Sequence, residues 1–301
     1  LLAGLTSALV GIPQAMAQAL LATVNPILGL NTLMLASPVG ALFTSSTFMN
    51  VSTTTALAVA AGDILINYPS NTRPSALVTL VVMIGVLQIV VGLLQLGWVT
   101  RFIPFSVMTG FLAGVAVLTV IGQLGDFTGY YSQYPNKLLQ VADLVLNGQS
   151  VRWATLAVGL LTILLVYGLG ATRVSKFSLV LALAISSIAA LLLNDSLATN
   201  IKLVGDIADV PRFLPSFILP NLKLIPGLLV PAIALGILGL VLSASVSQNF
   251  PNPDGKFPNI SRDFFGQGMA NLATGSFGGI PAGGSNSGTS LLINAGAHTR
   301  W

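Results

Sequence analysis

From Leu1 to Gly62 this chain carries no charged residue, and five later stretches repeat the pattern: Pro74 to Thr100, Phe102 to Gly125, Trp153 to Thr172, Leu224 to Pro253 and Phe264 to Ala297. A soluble domain needs charge on the outer faces of its helices. A bilayer core about 30 Å thick asks instead for roughly 20 apolar residues per helix, and it penalises Arg, Lys or Asp at its centre by about 2.5 to 3.5 kcal/mol. The pattern therefore predicts an all-α, polytopic membrane protein. Charged residues are 7% of the chain, against about 25% in soluble domains.

Composition removes several functions. All 8 acids are Asp, there is no Glu, and His298 is the single histidine. Acid-base catalysis and carboxylate-rich metal sites have few candidates, so no enzyme activity, metal or cofactor is expected. With no cysteine, disulfides and thiolate sites are excluded. The 12 Lys and Arg residues form no run, which argues against a nucleic-acid partner.

Ten apolar segments follow along the chain: Leu2 to Thr23, Gly29 to Ser45, a short one from Asn50 to Ile66, Ser75 to Leu96, Phe102 to Leu124, Trp153 to Gly170, Ser178 to Leu193, Pro226 to Gln248, Arg262 to Phe277, and a second short one from Ser285 to Ala295. Polar connectors occupy Gly125 to Arg152, Asn194 to Lys223 and Asn249 to Ser261. The opening stretch lacks the basic flank and cleavage pattern of a secretory signal. If the short segments each pass half way, one side collects Arg101, Arg173, Lys176, Lys256, Arg262 and Arg300 with Asp254 and Asp263, for a net +4. The opposite side collects Arg73, Lys137, Arg152, Lys202, Arg212 and Lys223 with six Asp and is balanced. The first side is expected to be cytoplasmic, with the protein in a plasma or inner membrane.

The short segments carry the chemistry. Thr44 to Thr55 is a hydroxyl-rich approach to an Ala-rich helix, and Gly278 to Thr289 a Gly-rich approach to another. Irregular backbone at membrane depth is tolerated only when it is buried in protein or lines a cavity. A helix starting there exposes unpaired N–H groups and about half a positive charge, so two such starts facing each other make an anion site without Lys or Arg. Small residues in either segment alone also fit simple helix packing. The pair, separated by about the length of a seven-helix repeat, points to a transporter. The expected donors are Ser52, Thr53 and Thr54 with Ser285, Asn286 and Ser287; Gly283 and Gly284 are expected to permit close approach of the anion, and Gln14 to face the gap. His298, beside Arg300, reads as interfacial.

The opening run Leu2-Ala3-Gly4-Leu5-Thr6-Ser7-Ala8-Leu9-Val10-Gly11-Ile12-Pro13-Gln14-Ala15-Met16-Ala17 resembles the first helix of the SulP anion permeases, a family of sulfate and bicarbonate transporters that includes prestin. Arg101-Phe102-Ile103-Pro104 with Val107 to Phe111, Asn252-Pro253-Asp254-Gly255 with Gly266 to Asn271, and Gly278 to Thr289 followed by Asn294 to Ala297 are similar to three further family stretches, in order. The resemblance implies a seven-plus-seven inverted repeat like that of uracil permease, with helices 3 and 10 as half-helices. It implies a core from about 1–100 and 226–301 and a gate from about 101–225, moving as an elevator. It also implies an anion held between helices three and ten, flanked by one and eight, and a homodimer at full length. The chain reaches the tenth helix, so helices 11–14 and the STAS domain are expected to be missing and the second repeat incomplete.

Departures from the family are Leu242 where many members carry a helix-eight carboxylate, Gly288 in place of Arg, Ser52-Thr53 in place of Gly-Pro, and Gln18 in place of Tyr. Ser243 and Ser247 are left as candidate cation ligands. The function expected is secondary transport of a small inorganic oxyanion, sulfate or bicarbonate, across a lipid bilayer. The alternatives are a nucleobase permease of the same fold, for which the embedded Glu residues are lacking, and a transport-inactive membrane scaffold.

Overall fold

The computed structural model describes residues 2–102, 105–134, 137–172, 174, 177–197, 199, 201 and 214–299. In chain order the elements are α1 (Leu2–Leu21), α2 (Pro26–Phe43), β1 (Asn50–Thr53), α3 (Thr55–Leu65), α4 (Arg73–Leu93), α5 (Phe105–Thr128), α6 (Lys137–Leu146), α7 (Trp153–Gly170), α8 (Ser178–Leu197), α9 (Ile225–Asn249), α10 (Ile260–Ser276), β2 (Ala282–Ser285) and α11 (Asn286–Asn294). All but α6 and β2 fall on segments read from the sequence, and β1 takes the first four residues of the segment from Asn50 to Ile66. Among the described residues, six helices are long and apolar enough to cross a membrane. Of the charges used to orient the chain, Arg173, Lys176, Lys202, Asp206, Asp209, Arg212 and Arg300 lie outside the described residues, as do Ile103 and Pro104.

Proline and asparagine set where several helices begin. Asn25 caps α2 by accepting from Ile27 N, with Pro26 in the first turn, and Asn259 caps α10 by accepting from Arg262 N. Both devices satisfy or remove N–H groups that have no acceptor in a first turn.

The chain divides into two units, Leu1–Gly110 with Ala208–Trp301, and Phe111–Ile207. In the first, α10 packs on α4 and α2, and α9 on α4 and β2. The α4–α10 contact is a reciprocal glycine seam. A methyl group on Gly85 would meet Leu272 N at 2.6 Å, and one on Gly92 would meet Phe265 N at 2.6 Å. From the other helix, a methyl on Gly268 would meet Ile89 N at 2.6 Å and one on Gly275 would meet Val82 N at 2.8 Å. Each pair is seven residues apart, two turns along one face, so the backbones touch where side chains would otherwise hold them apart. Leu77, Leu80, Ile84, Leu57 and Leu228 fill the interior beside it and are fully buried.

The two short helices are half-length. α3 has 11 residues and α11 has 9, about 16 Å and about 14 Å at 1.5 Å per residue, near half of a bilayer core. Each is preceded by a four-residue strand instead of irregular chain. In the second unit α7 packs on α8. The connector read as purely polar from Gly125 to Arg152 instead holds the end of α5 and the whole of α6.

Candidate anion site at two helix starts

β1 and β2 pair antiparallel, with Asn50 opposite Ser285, Val51 opposite Gly284, Ser52 opposite Gly283 and Thr53 opposite Ala282. The two segments singled out in the sequence therefore meet. Because the ladder is antiparallel, α3 and α11 leave it from opposite ends. Their N-caps are extended: Thr54 at φ −130°, ψ 142°, and Ser285 at φ −96°, ψ 109°. The first intrahelical bond of α3 is Ala58 N to Thr54 O at 2.9 Å. Thr55, Ala56 and Leu57 thus present N–H groups with no acceptor in their own helix, as do Asn286 and Ser287 of α11. Gly288 N is taken by the Ser285 hydroxyl at 3.0 Å. Ser52 and Thr53, expected as helix-start donors, lie in the ladder, because pairing with β2 extends the chain up to Thr54.

Around these starts the side chains divide. Gln18 of α1 is only 4% exposed and donates from Nε2 to Thr55 Oγ1 at 3.4 Å. Its Oε1 and the Thr54 hydroxyl are buried without a partner. Gln14, one turn earlier on the same face of α1, is exposed. The Ser285 and Ser287 hydroxyls lie 3.3 Å apart. Asn286 turns its amide away to donate to Ser245 of α9 at 3.3 Å.

Gly284 was expected to clear space for an anion, but a methyl group there would meet Ser243 Cα at 2.8 Å. Its smallness lets β2 press on the α9 backbone. Gly283 faces the other way, where a methyl would meet the flexible ends of Leu57 (3.0 Å) and Leu242 (3.6 Å) and the Thr54 methyl (3.6 Å). Successive strand residues point to opposite faces, which accounts for the difference.

Behind the ladder, buried amides hold β2 by its outer edge. Asn271 of α10 donates to Ala282 O and accepts from Ala282 N, both at 2.8 Å, much as a third strand would. Gln267 Oε1 accepts from Gly284 N at 3.2 Å. Gln88 of α4 accepts from Asn271 at 2.8 Å and donates to Gly236 O of α9 at 3.2 Å.

Asp263 is the residue that sequence reasoning misplaced. Counted among loop charges, it is fully buried in the first turn of α10. Its Oδ1 accepts from Ser45 N (2.6 Å), Ser45 Oγ (2.8 Å) and Ser46 N (3.1 Å), and its Oδ2 from Ser247 Oγ (2.7 Å). Ser247 is thus engaged by a carboxylate from the neighbouring helix, and Ser243 donates to Met49 Sδ at 3.6 Å. The available signal was periodic: Asp263, Gln267, Asn271 and Thr274 recur at intervals of four, four and three, one polar stripe on a helix in an apolar chain. All four are fully buried.

A family model described as the sulfate permease family matches residues 1–301, and the chain belongs to that family. Its relatives are transporters by name, and it is a multi-pass integral membrane protein. YvdB of Bacillus subtilis, which carries a provisional sulfate-transporter name, is 32% identical over 309 residues, covering 99% of this chain and 56% of YvdB. The bicarbonate transporter BicA of Synechocystis sp. is 30% identical over 228 residues, covering 73% of this chain and 39% of BicA. The chain thus spans about half the length of the curated relatives it matches. The solved transmembrane domain of a cyanobacterial BicA superposes with a TM-score of 0.78 at 26% identity, covering 100% of this chain and 77% of that one. SLC26A9 gives 0.83 at 18% identity, covering 99% and 50%, a likeness of fold.

Proposed function

We propose that this chain forms the anion-carrying part of a secondary transporter for a small inorganic oxyanion of the sulfate or bicarbonate class. The observation that carries this reading is the β1–β2 ladder, which mounts the α3 and α11 starts at its two ends. Main-chain N–H groups of Thr55, Ala56, Asn286 and Ser287, with the Thr54, Ser285 and Ser287 hydroxyls, would supply the donors, and the two helix dipoles the positive potential. The unpartnered Gln18 Oε1 and Thr54 Oγ1 support a polar occupant there. Relatives named as sulfate and bicarbonate transporters support the substrate class.

Movement in this reading is of the elevator type, with Leu1–Gly110 and Ala208–Trp301 as the carrying core and Phe111–Ile207 as the gate. The division of the chain into those two units supports it, as do the glycine seam and amide bonds that tie α4, α9, α10 and β2 into one block. Uptake of sulfate and of bicarbonate into proteoliposomes containing the full-length protein tests the function. Saturable uptake of at least one is expected. Uptake of neither above that of empty vesicles would favour a scaffold.

A further inference from the structure

α6 exposes its apolar face. On a helical projection Leu138, Leu139, Ala142, Val145 and Leu146 share one arc, Asp143 flanks it, and Gln140 and Leu144 lie opposite. Leu139 is 49% exposed, Val145 76% and Leu146 83%, whereas Gln140, Val141, Asp143 and Leu144 are half-buried. A helix packed on protein in water turns its apolar stripe inward; here Val141 and Leu144 do so, but a wider apolar arc is left outside. The polar side is tied down: Gln140 Nε2 donates to Tyr134 O at 2.7 Å, and the Tyr130 hydroxyl to Asp143 Oδ2 at 2.9 Å. The connector is also short-tethered, since Arg152 N donates to Thr128 O at 2.9 Å and so joins the end of α5 to the residue preceding α7. α6 therefore lies level with the ends of two membrane segments. At that level Tyr134 is 50% exposed and Trp153, the first residue of α7, is 72% exposed, as aromatic residues of an interfacial belt are.

We propose that α6 is an interfacial helix whose apolar face lies in the headgroup–acyl boundary of the bilayer, continuous with the lipid-facing surface of α5 and α7. A helix with one apolar and one polar face gains from burial at that boundary without crossing it. The occupant is the lipid surface, and its effect is to hold the Phe111–Ile207 unit at a fixed depth. This proposal is independent of which anion is carried.

The absence of cysteine makes single-site nitroxide labelling direct. Leu139→Cys, Val145→Cys and Leu146→Cys, with Gln140→Cys for the opposite face, are labelled in the full chain. Each is reconstituted into phosphatidylcholine–phosphatidylglycerol vesicles after its helix content is checked by circular dichroism. The expected result is collision with oxygen severalfold above collision with a water-soluble nickel chelate at the three apolar positions, and the reverse at Gln140. Equal or greater nickel access at Val145 and Leu146 would overturn the proposal. So would immobile labels that neither reagent reaches, because that pattern places protein, such as a second copy, over this face.

Discussion

Gly283 and Gly284 are neighbours in β2 and answer differently to a methyl group. At Gly284 the methyl would sit 2.8 Å from the Ser243 backbone, which cannot yield without moving α9. At Gly283 the closest atom, at 3.0 Å, is the end of the Leu57 side chain. Gly284→Ala is therefore expected to cost about 1–3 kcal/mol by overpacking, and Gly283→Ala much less. Thermal unfolding in detergent should place Gly284→Ala clearly below Gly283→Ala, and equal midpoints would contradict the packing role. The sequence marked these glycines without revealing which way each faces, because that depends on strand pairing. Asp263 was hidden for a related reason. Beside Arg262 it resembled a loop charge, and only the fold brings Ser45, Ser46 and Ser247 to it.

At the scale of elements, the α4–α10 seam predicts a strong response to bulk. Gly268→Leu would drive a side chain into Ile89 N and Gly85 O of α4, and the expected outcome is loss of the folded protein in detergent, read by size-exclusion chromatography. A monodisperse variant would show that the helices can part. The tie holding α6 has its own signature. Hydrogen bonds from Ser132 and Tyr130 hold the Asp143 carboxyl below the usual carboxylate range. A lowered pKa means the stabilisation is complete above the unfolded value and is lost as pH falls through the folded one. A nitroxide at Leu146 should keep its spectrum from about pH 7 to about pH 4, the ordinary Asp value, and loosen only in stronger acid. Release near the ordinary value would contradict the tie. Helices were readable because charges mark their ends. β1 and β2 were not, since Asn50 to Thr53 and Ala282 to Ser285 have no alternating pattern and become strands only by pairing. α6 was missed as well, its stripe of Leu and Val being embedded in a connector rich in Tyr, Asn and Asp.

For the whole molecule, the anion binding proposed rests on two helix starts mounted on one block. The buried Asp263 carboxylate is already held by protein donors, three on Oδ1 and Ser247 on Oδ2. Uptake by the full-length protein is therefore expected to be unchanged when sodium is replaced by an organic cation at clamped voltage. Sodium-driven accumulation against the anion gradient would require a coupling site elsewhere. The anion site is tested most directly at Thr55, the first residue of α3. Proline is tolerated at that helix position, and the extended Thr54 suits a following proline, so Thr55→Pro deletes one N–H while the helix persists. Thr55→Ala removes the same side chain and keeps the N–H. A hydrogen bond to a charged group contributes about 1.5–3 kcal/mol, so the anion affinity of Thr55→Pro, measured by uptake competition, should fall at least about ten-fold below that of Thr55→Ala. Equal affinities in two folded variants would contradict an anion held at the start of α3.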